Sequence, residues 1–394
     1  MESFYRTHEF LVNHLGTPVR RDLMDQIDWG HRMIAIKGTR GVGKTTFLLQ
    51  YAKERFFGDT SCLYVNMNNF YFCDHTLLEF VTEFNRRGGR VLLIDQIFKY
   101  TNWSKELREC YNHFPRMKFV FTVSSVVRLT SKEEDEHLYD IVQMYYLRGF
   151  SFREFLNQKT GMKFPVCSLN DILTSHQEIA TSVTQKIQPL LYLQEYMRYG
   201  FYPFYLEKRD FSESLLKTMN MMIEVDILII KQIEQKYLAN IKKLLYLLST
   251  DGPKAPNVSH LADETGLSRA TVMNYIKYLQ DARLVNLIYR EGESFPKKPS
   301  RILMHNTNLM YAIYPMQFDE RDLMETFFVN NLWKDHTVNK DHKRVTYTVD
   351  DQLQFKLCVD SPGKRQEPGT KFVLRNLEIG YGNQIPLWIF GFLC

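Results

Sequence analysis

Paired cysteines are missing from this sequence. Its six cysteines (Cys62, Cys73, Cys110, Cys167, Cys358 and Cys394) are scattered, with no C-x-x-C pair. That excludes the usual zinc frameworks and a disulfide scaffold, and it fits a reducing, cytoplasmic setting. Long apolar runs are missing too. The longest, "IPLWIFGFL" near the C-terminus, falls far short of the ~20 residues that span a bilayer. It is expected as a strand docked in a core, and no membrane partner is expected. The N-terminal "MESFYRTHEF" has no apolar stretch of the secretory-signal kind. Charge of one sign is also scarce: 50 Lys and Arg stand against 45 Asp and Glu, a net of +5. This balance permits nucleic-acid binding without requiring it.

What is present begins with size. A chain of 394 residues, 44% of them hydrophobic, is too long for one ordinary core, and two or three domains are expected. The strongest local signal is "RMIAIKGTRGVGKTTFLLQYAKERF". Residues 32–37 read as a short apolar strand, Gly38–Thr45 fit G-x-x-x-x-G-K-[ST], and Phe47, Leu48, Tyr51 and Ala52 give the following segment a helical apolar face. Glycines at 38, 41 and 43 let the backbone curl so that successive N–H groups face phosphate oxygens, and the helix N-terminus adds partial positive charge. Gly38, Thr39, Arg40, Gly41, Val42, Gly43, Lys44, Thr45 and Thr46 are therefore the candidate ATP-binding set. Lys44 is expected on the β- and γ-phosphates, and Thr45 on Mg²⁺ through its hydroxyl.

Further strands are expected at 62–67, 90–95, 118–125 and 143–147, separated by helices over Thr76–Arg86, Trp103–Tyr111 and Lys132–Tyr139. Strands alternating with helices imply a parallel sheet covered on both faces, with ligands at the carboxyl ends of its strands. Asp95 ends one strand and becomes the second Mg²⁺ candidate. Ser124 and Ser125 end another and are candidates for the γ-phosphate or the attacking water. After Asp95, where a carboxylate base would stand, the chain has Gln96. An amide can orient water but cannot take its proton near neutral pH, so slow turnover, or binding without turnover, is expected. Some GTPases do position water with a glutamine, which keeps hydrolysis open.

These runs, with "VLLIDQIFKYTNWSKELRECYNHFPRMKFVFTVSS", "LRGFSFREFLN", "NTNLMYAIYP", "METFFVNNL" and "GNQIPLWIFGFL", resemble the AAA-type prokaryotic P-loop ATPase family that carries a C-terminal domain of unknown function. The resemblance spans nearly the whole chain. It implies an α/β multidomain protein: a P-loop NTPase parallel sheet (1–155), a helical linker (156–238), a winged helix (239–310) and a small restriction-endonuclease-like α/β C-terminal module (311–394). The departures fall on catalytic places. The family's Asp-Glu-Ile-His is Asp95-Gln96-Ile97-Phe98 here, Val123 replaces its Gly before the paired serines, and Asp140 and Ile141 stand where it carries an Arg-Arg pair. Loss of such an arginine costs ~10³–10⁵ in rate in related phosphoryl transfer. Arg128, Arg148 and Arg153 remain as substitutes, none in the family's place. An arginine supplied by a protein partner or a second copy is a further alternative.

Residues 150–235 read as helices, with "RYGFYPFY" as a buried turn. From Ala239 an amphipathic helix ends at Gly252, and "NVSHLADETGLSRATVMNYIKYLQDARLVNLIYREG" then carries helix-turn-helix spacing, with Ser268 as N-cap of the second helix. Arg269, Thr271, Asn274 and Lys277 on that helix, and Lys297 and Lys298 near the tip of the following strand pair, are the candidate DNA contacts. The other reading is a winged helix used for protein contact or nucleotide sensing, since Asp263, Glu264, Asp281 and Glu291 dilute the positive face. In the C-terminal module the strand "LQFKLCV" bears no carboxylate, and Lys356 stands where a nuclease of the resembled type needs an acid. Asp350, Asp351 and Glu325 are explained by turn and helix roles. A structural or partner-binding module is expected there.

Overall fold

The computed structural model describes residues 1–16, 19–207, 210–315, 318–340, 346–362 and 368–393, and it divides into two compact units, Met1–Arg148 and Gly149–Cys394. The first unit therefore ends a few residues before the expected 155. The helical segment, the helix-turn-helix region and the C-terminal module, expected as three domains, share the second unit. The division falls where Ser151 caps a helix whose Phe152 and Phe155 are buried within that second unit.

The first unit contains helices α1 (Glu2–Asn13), α2 (Leu23–Gln26), α3 (Lys44–Phe56), α4 (Leu77–Arg86) and α5 (Trp103–His113). Its strands are β1 (Met33–Gly38), β2 (Cys62–Asn66), β3 (Val91–Asp95), β4 (Lys118–Ser124) and β5 (Gln143–Tyr146). They form one parallel sheet in the order β2-β3-β4-β1-β5. Every residue of β3 is buried, as a strand covered on both faces requires. Helix α4 shows how local rules set a helix. A capping box of Thr76 and Glu79 starts it, and Leu77, Phe80, Val81 and Phe84 are fully buried along one face. Burying each such side chain is worth ~1.5–3 kcal/mol.

One expected helix of this unit is absent: residues 132–139 form turns. Their acidic side chains compete for the backbone N–H groups that a helix would use. Glu134 accepts from the Thr130 amide and hydroxyl, and Asp135 accepts from the amides of His137 (3.0 Å) and Leu138 (2.9 Å).

The second unit contains α6 (Phe152–Thr160), α7 (Leu169–Thr184), α8 (Pro189–Glu195), α9 (Phe211–Met221), α10 (Leu238–Thr250), α11 (Val258–Thr265), α12 (Arg269–Asp281), α13 (Thr307–Ile313) and α14 (Glu320–Leu332). Pro189 starts α8 after a break that follows Thr184, the end of α7. In the turn that follows α8, Phe201 and Tyr202 are buried. Gly266 closes α11 at φ 67°, and the Ser268 side chain accepts the Thr271 amide at the start of α12. Val272, Ile276 and Leu279 of α12 are fully buried. Strands β6 (Val285–Ile288) and β7 (Arg301–Met304) then pair antiparallel.

A second sheet runs β12-β11-β10-β9-β8, from β8 (Val338–Lys340), β9 (Thr346–Val349), β10 (Leu353–Cys358), β11 (Lys371–Leu374) and β12 (Gln384–Pro386). Phe355 and Leu357 of β10 face the core, and Phe355 meets Phe328 of α14 at 5.4 Å between ring centroids. The C-terminal apolar run is a correction to expectation. Only Gln384–Pro386 is strand, and Leu387–Phe392 form a 3₁₀ turn. This turn buries Leu387, Trp388, Ile389, Phe390 and Phe392 together. Gly391 lies so close to Phe152 that a Cβ would collide with it. The loop at 361–369 lies partly outside the described residues. Among the described residues, no helix is long and apolar enough to cross a membrane.

Candidate nucleotide-binding site

The loop between β1 and α3 has the backbone that its glycines were expected to provide. Gly41 (φ 81°) and Gly43 (φ 91°) are left-handed, where a side chain would be strained. Gly38 serves differently: a Cβ there would collide with the Leu147 carbonyl and crowd Val42. Lys44 arches back over the loop, and its Nζ donates to the carbonyls of Gly38 (2.8 Å) and Thr39 (2.7 Å). Thr39 is buried, Arg40 and Thr46 are half-buried, and Thr45 is exposed.

At the carboxyl end of the same sheet, Asp95 is 1% exposed and sits at the centre of a hydrogen-bond web. Thr122 Oγ1 donates to its Oδ1 at 2.6 Å. Its Oδ2 accepts from Thr45 Oγ1 (2.7 Å), Tyr64 OH (2.9 Å) and Asn66 Nδ2 (3.4 Å). Burial, and then the neighbouring Asp95 charge, push the Tyr64 hydroxyl well above its usual range, so it remains a donor. Thr45 and Asp95, the two Mg²⁺ candidates, are thus in direct contact.

Gln96 has φ 55° and ψ 42°, left-handed backbone that costs a non-glycine residue ~1–2 kcal/mol. Its backbone N–H donates to Thr122 Oγ1 at 2.8 Å, so one hydroxyl ties both Asp95 and the Gln96 backbone. Ser124 lies opposite Gly38 in the β1–β4 register, at the edge of the phosphate loop. Ser125 Oγ is buried with no hydrogen-bond partner among the described residues.

Tyr64, Asn66 and Thr122 were not anticipated from the sequence. The usable signal was a polar residue interrupting each apolar strand: Thr122 within "KFVFTVSS", and Asn66 directly opposite Asp95 in the β2–β3 register.

Two of the substitute arginines, Arg128 and Arg153, have side-chain commitments elsewhere. Arg128 is exposed and lies 3.8 Å from Glu134. The Arg148 carbonyl accepts from Arg21 at 2.8 Å. Arg153 is buried in the second unit and donates to the Phe164 carbonyl at 3.2 Å. Asp140, in the place of the family's arginine, forms a two-pronged ion pair with Arg108 at 2.7 and 3.2 Å.

In the second unit, Arg269, Asn274, Lys297 and Lys298 are exposed and Thr271 is half-buried. Lys277 is turned along its own helix, with Nζ 2.8 Å from Gln280 Oε1 and 3.5 Å from Asp281. Lys297 lies 3.4 Å from Glu293. On α14, Glu325 is committed to Tyr347 (2.6 Å) and Arg301 (2.7 Å). Asp350 and Asp351 hold left-handed turns and accept from the Thr337 amide (2.9 Å) and Asn339 Nδ2 (2.9 Å). Among the described residues, no three His, Cys, Asp or Glu side chains gather as a metal site would need.

Comparison with known proteins agrees with the first unit. Residues 30–156 match the family model described as an AAA domain, and residues 191–314 match a domain of unknown function. Uncharacterized protein MJ1637 of Methanocaldococcus jannaschii is 26% identical over 282 residues, covering 68% of this chain and 58% of that protein. Uncharacterized protein MJ1544 of the same organism is 24% identical over 278 residues, covering 66% of this chain and 56% of that protein. The chain thus spans less than three fifths of the length of these curated relatives. Among solved structures, the S. cerevisiae Hsp104–ADP complex aligns over 82% of this chain and 58% of its own, at 11% identity and a TM-score of 0.33. AMPPCP-bound DnaA from Aquifex aeolicus aligns over 70% of this chain and 87% of its own, at 13% identity and a TM-score of 0.24. The phosphate loop, the parallel sheet and the AAA-domain match over residues 30–156 agree on a P-loop NTPase α/β fold for the first unit.

Proposed function

We propose that this chain is an ATP-binding AAA-type protein that acts as a nucleotide-dependent switch, with slow or absent hydrolysis. The observation that carries this reading is the pairing of an intact phosphate loop, in which Thr45 meets Asp95 at 2.7 Å, with an amide at position 96. The residues present suit the ligand. Backbone N–H groups from Gly38 to Thr46 and the start of α3 bind phosphate, and Lys44 exchanges its loop carbonyls for phosphate oxygens. Thr45 and Asp95 hold Mg²⁺, which neutralises phosphate charge when bound. Ser125, with its buried hydroxyl, is the candidate partner for a terminal phosphate oxygen or a water. Gln96 orients a water and takes no proton.

Titration with mant-ATP and Mg²⁺ tests the binding. A saturable signal is expected for the wild type and none for Lys44→Ala. A wild type that does not bind ends the proposal.

A second reading, DNA contact by a winged helix built from α10–α12, β6 and β7, is favoured by the exposed Arg269 and Asn274 near the Ser268-capped start of α12. The ion-paired Lys277 and Lys297 weaken it. A gel shift on duplex DNA at two salt concentrations decides: binding that falls steeply with salt supports this reading, and no binding at low salt removes it.

A further inference from the structure

A second ligand site lies within Gly149–Cys394, on residues that the nucleotide chemistry does not use. A cleft of about 350 Å³ opens beside the turn after α8, the end of α13, the start of α14 and the residue following β11. That volume is at the lower end for small-molecule sites. Tyr311, Phe318 and Leu323 give it an apolar wall, with the Tyr311 and Phe318 rings edge-on at 5.3 Å.

Two guanidinium groups enter this wall. Arg198 lies 5.5 Å from the centroid of the Tyr311 ring, and both Arg198 and Arg375 act electrostatically on the Tyr311 hydroxyl. Glu320 is the one carboxylate among the described lining residues, so two cations face one anion. Arg375 Nε is buried with no hydrogen-bond partner among the described residues. Burial also holds the Arg375 pKa below its usual value, with the Glu320 charge opposing. An arginine so placed has donor capacity and charge that its own fold leaves incompletely answered, and guanidinium groups favour planar oxyanions.

We propose that this cleft binds a small acid whose phosphate or carboxylate head pairs with Arg198 and Arg375, and whose ring or short apolar body packs on Tyr311, Phe318 and Leu323. The site is independent of the phosphate loop. The full chain carrying Lys44→Ala, which removes competing phosphate affinity at that loop, is titrated calorimetrically with phenyl phosphate, benzoate and neutral benzamide. At least one of the two anions is expected to bind with a Kd under about 1 mM, and benzamide is expected not to bind. Phenyl phosphate alone binding assigns a phosphate ligand, and benzoate alone a carboxylate. Adding Arg375→Gln or Arg198→Glu should weaken the bound anion at least about tenfold. Arg198 is exposed, so its charge reversal decides the question even if the Arg375 variant fails to fold. Absence of binding by both anions, equal binding of benzamide, or unchanged affinity in the arginine variants overturns the proposal.

Discussion

The hydroxyl of Thr122 should be worth more to the first unit than any other single atom bound to Asp95. Among the described residues, Asp95 Oδ1 receives its side-chain hydrogen bond from Thr122 at 2.6 Å, whereas Oδ2 is shared by Thr45, Tyr64 and Asn66. Thr122→Val keeps the shape of the side chain at a position that is 0% exposed, and removes both the donor to Asp95 and the acceptor for the Gln96 amide. A hydrogen bond to a charged group contributes ~1.5–3 kcal/mol and a neutral one ~0.5–1.5, so the combined loss is about 2–4 kcal/mol. For a unit of this size, each kcal/mol moves Tm by about 2–4 °C. Scanning calorimetry should therefore place the first unit's transition roughly 4–16 °C lower. Tyr64→Phe, which leaves Oδ2 with Thr45 and Asn66, should cost about 1.5 kcal/mol, the low end for a bond to a charged group. Equal effects of the two variants, or a Thr122→Val shift under about 2 °C, would refute the view that one hydroxyl organises the Asp95–Gln96 corner.

Gln96→Glu supplies a proton acceptor and should raise steady-state phosphate release above wild type, by about 10²-fold or more if the base alone is limiting; an unchanged rate would mean that the missing arginine of the resembled family, or something else, limits. Gly391→Ala puts a methyl against Phe152 and within 3.0 Å of Phe327 Cζ, and should destabilise the second unit by ~1–3 kcal/mol in urea unfolding. Burial raises the Glu325 pKa above its ordinary 4.5, with Arg301 and Tyr347 opposing. Between that value and the raised one the folded state binds more protons than the unfolded, so this contribution to stability is present at low pH and is lost as pH rises. Glu325→Gln should flatten the fall in Tm as pH rises above the ordinary 4.5; parallel wild-type and variant curves would contradict this.

The first unit was legible because β1–β4 are largely buried apolar runs and α4 carries its own capping box. The phosphate loop, β1–β5, α4 and α5 all follow from apolar runs and fixed spacings in the sequence. The turn at 132–139 was not legible, since apolar spacing does not reveal that Glu134 and Asp135 will take backbone amides for themselves. The C-terminal run misled for a different reason. A continuous apolar stretch says that every residue is buried, and a 3₁₀ turn within a core satisfies that as well as a central strand does. Within the site, Lys44, Thr45 and Asp95 were visible through their motif. Tyr64, Asn66 and Thr122 act through strand register, which brings Asn66 opposite Asp95 only once β2 and β3 have paired. The arginine cleft had no sequence signal, because Arg198 and Arg375 are distant in the chain and meet only through tertiary packing.

The left-handed backbone at Gln96 bears on the choice between a nucleotide-holding protein and an idle relic. A glycine there would relieve about 1 kcal/mol or more of strain, and asparagine would tolerate the conformation better than most residues. Glutamine gains neither advantage. Its amide N–H is held by Thr122, whose hydroxyl is in turn oriented by the buried Asp95 carboxylate, so the strain is maintained by a polar web that is itself costly to bury. Stability alone would favour relaxing the corner and making Asp95 apolar. A buried carboxylate held by Thr45, Tyr64 and Thr122 beside a strained backbone is instead the arrangement on which the proposed Mg²⁺ and water positioning would draw, with no proton acceptor at position 96. Binding is the part of the chemistry for which that geometry suffices.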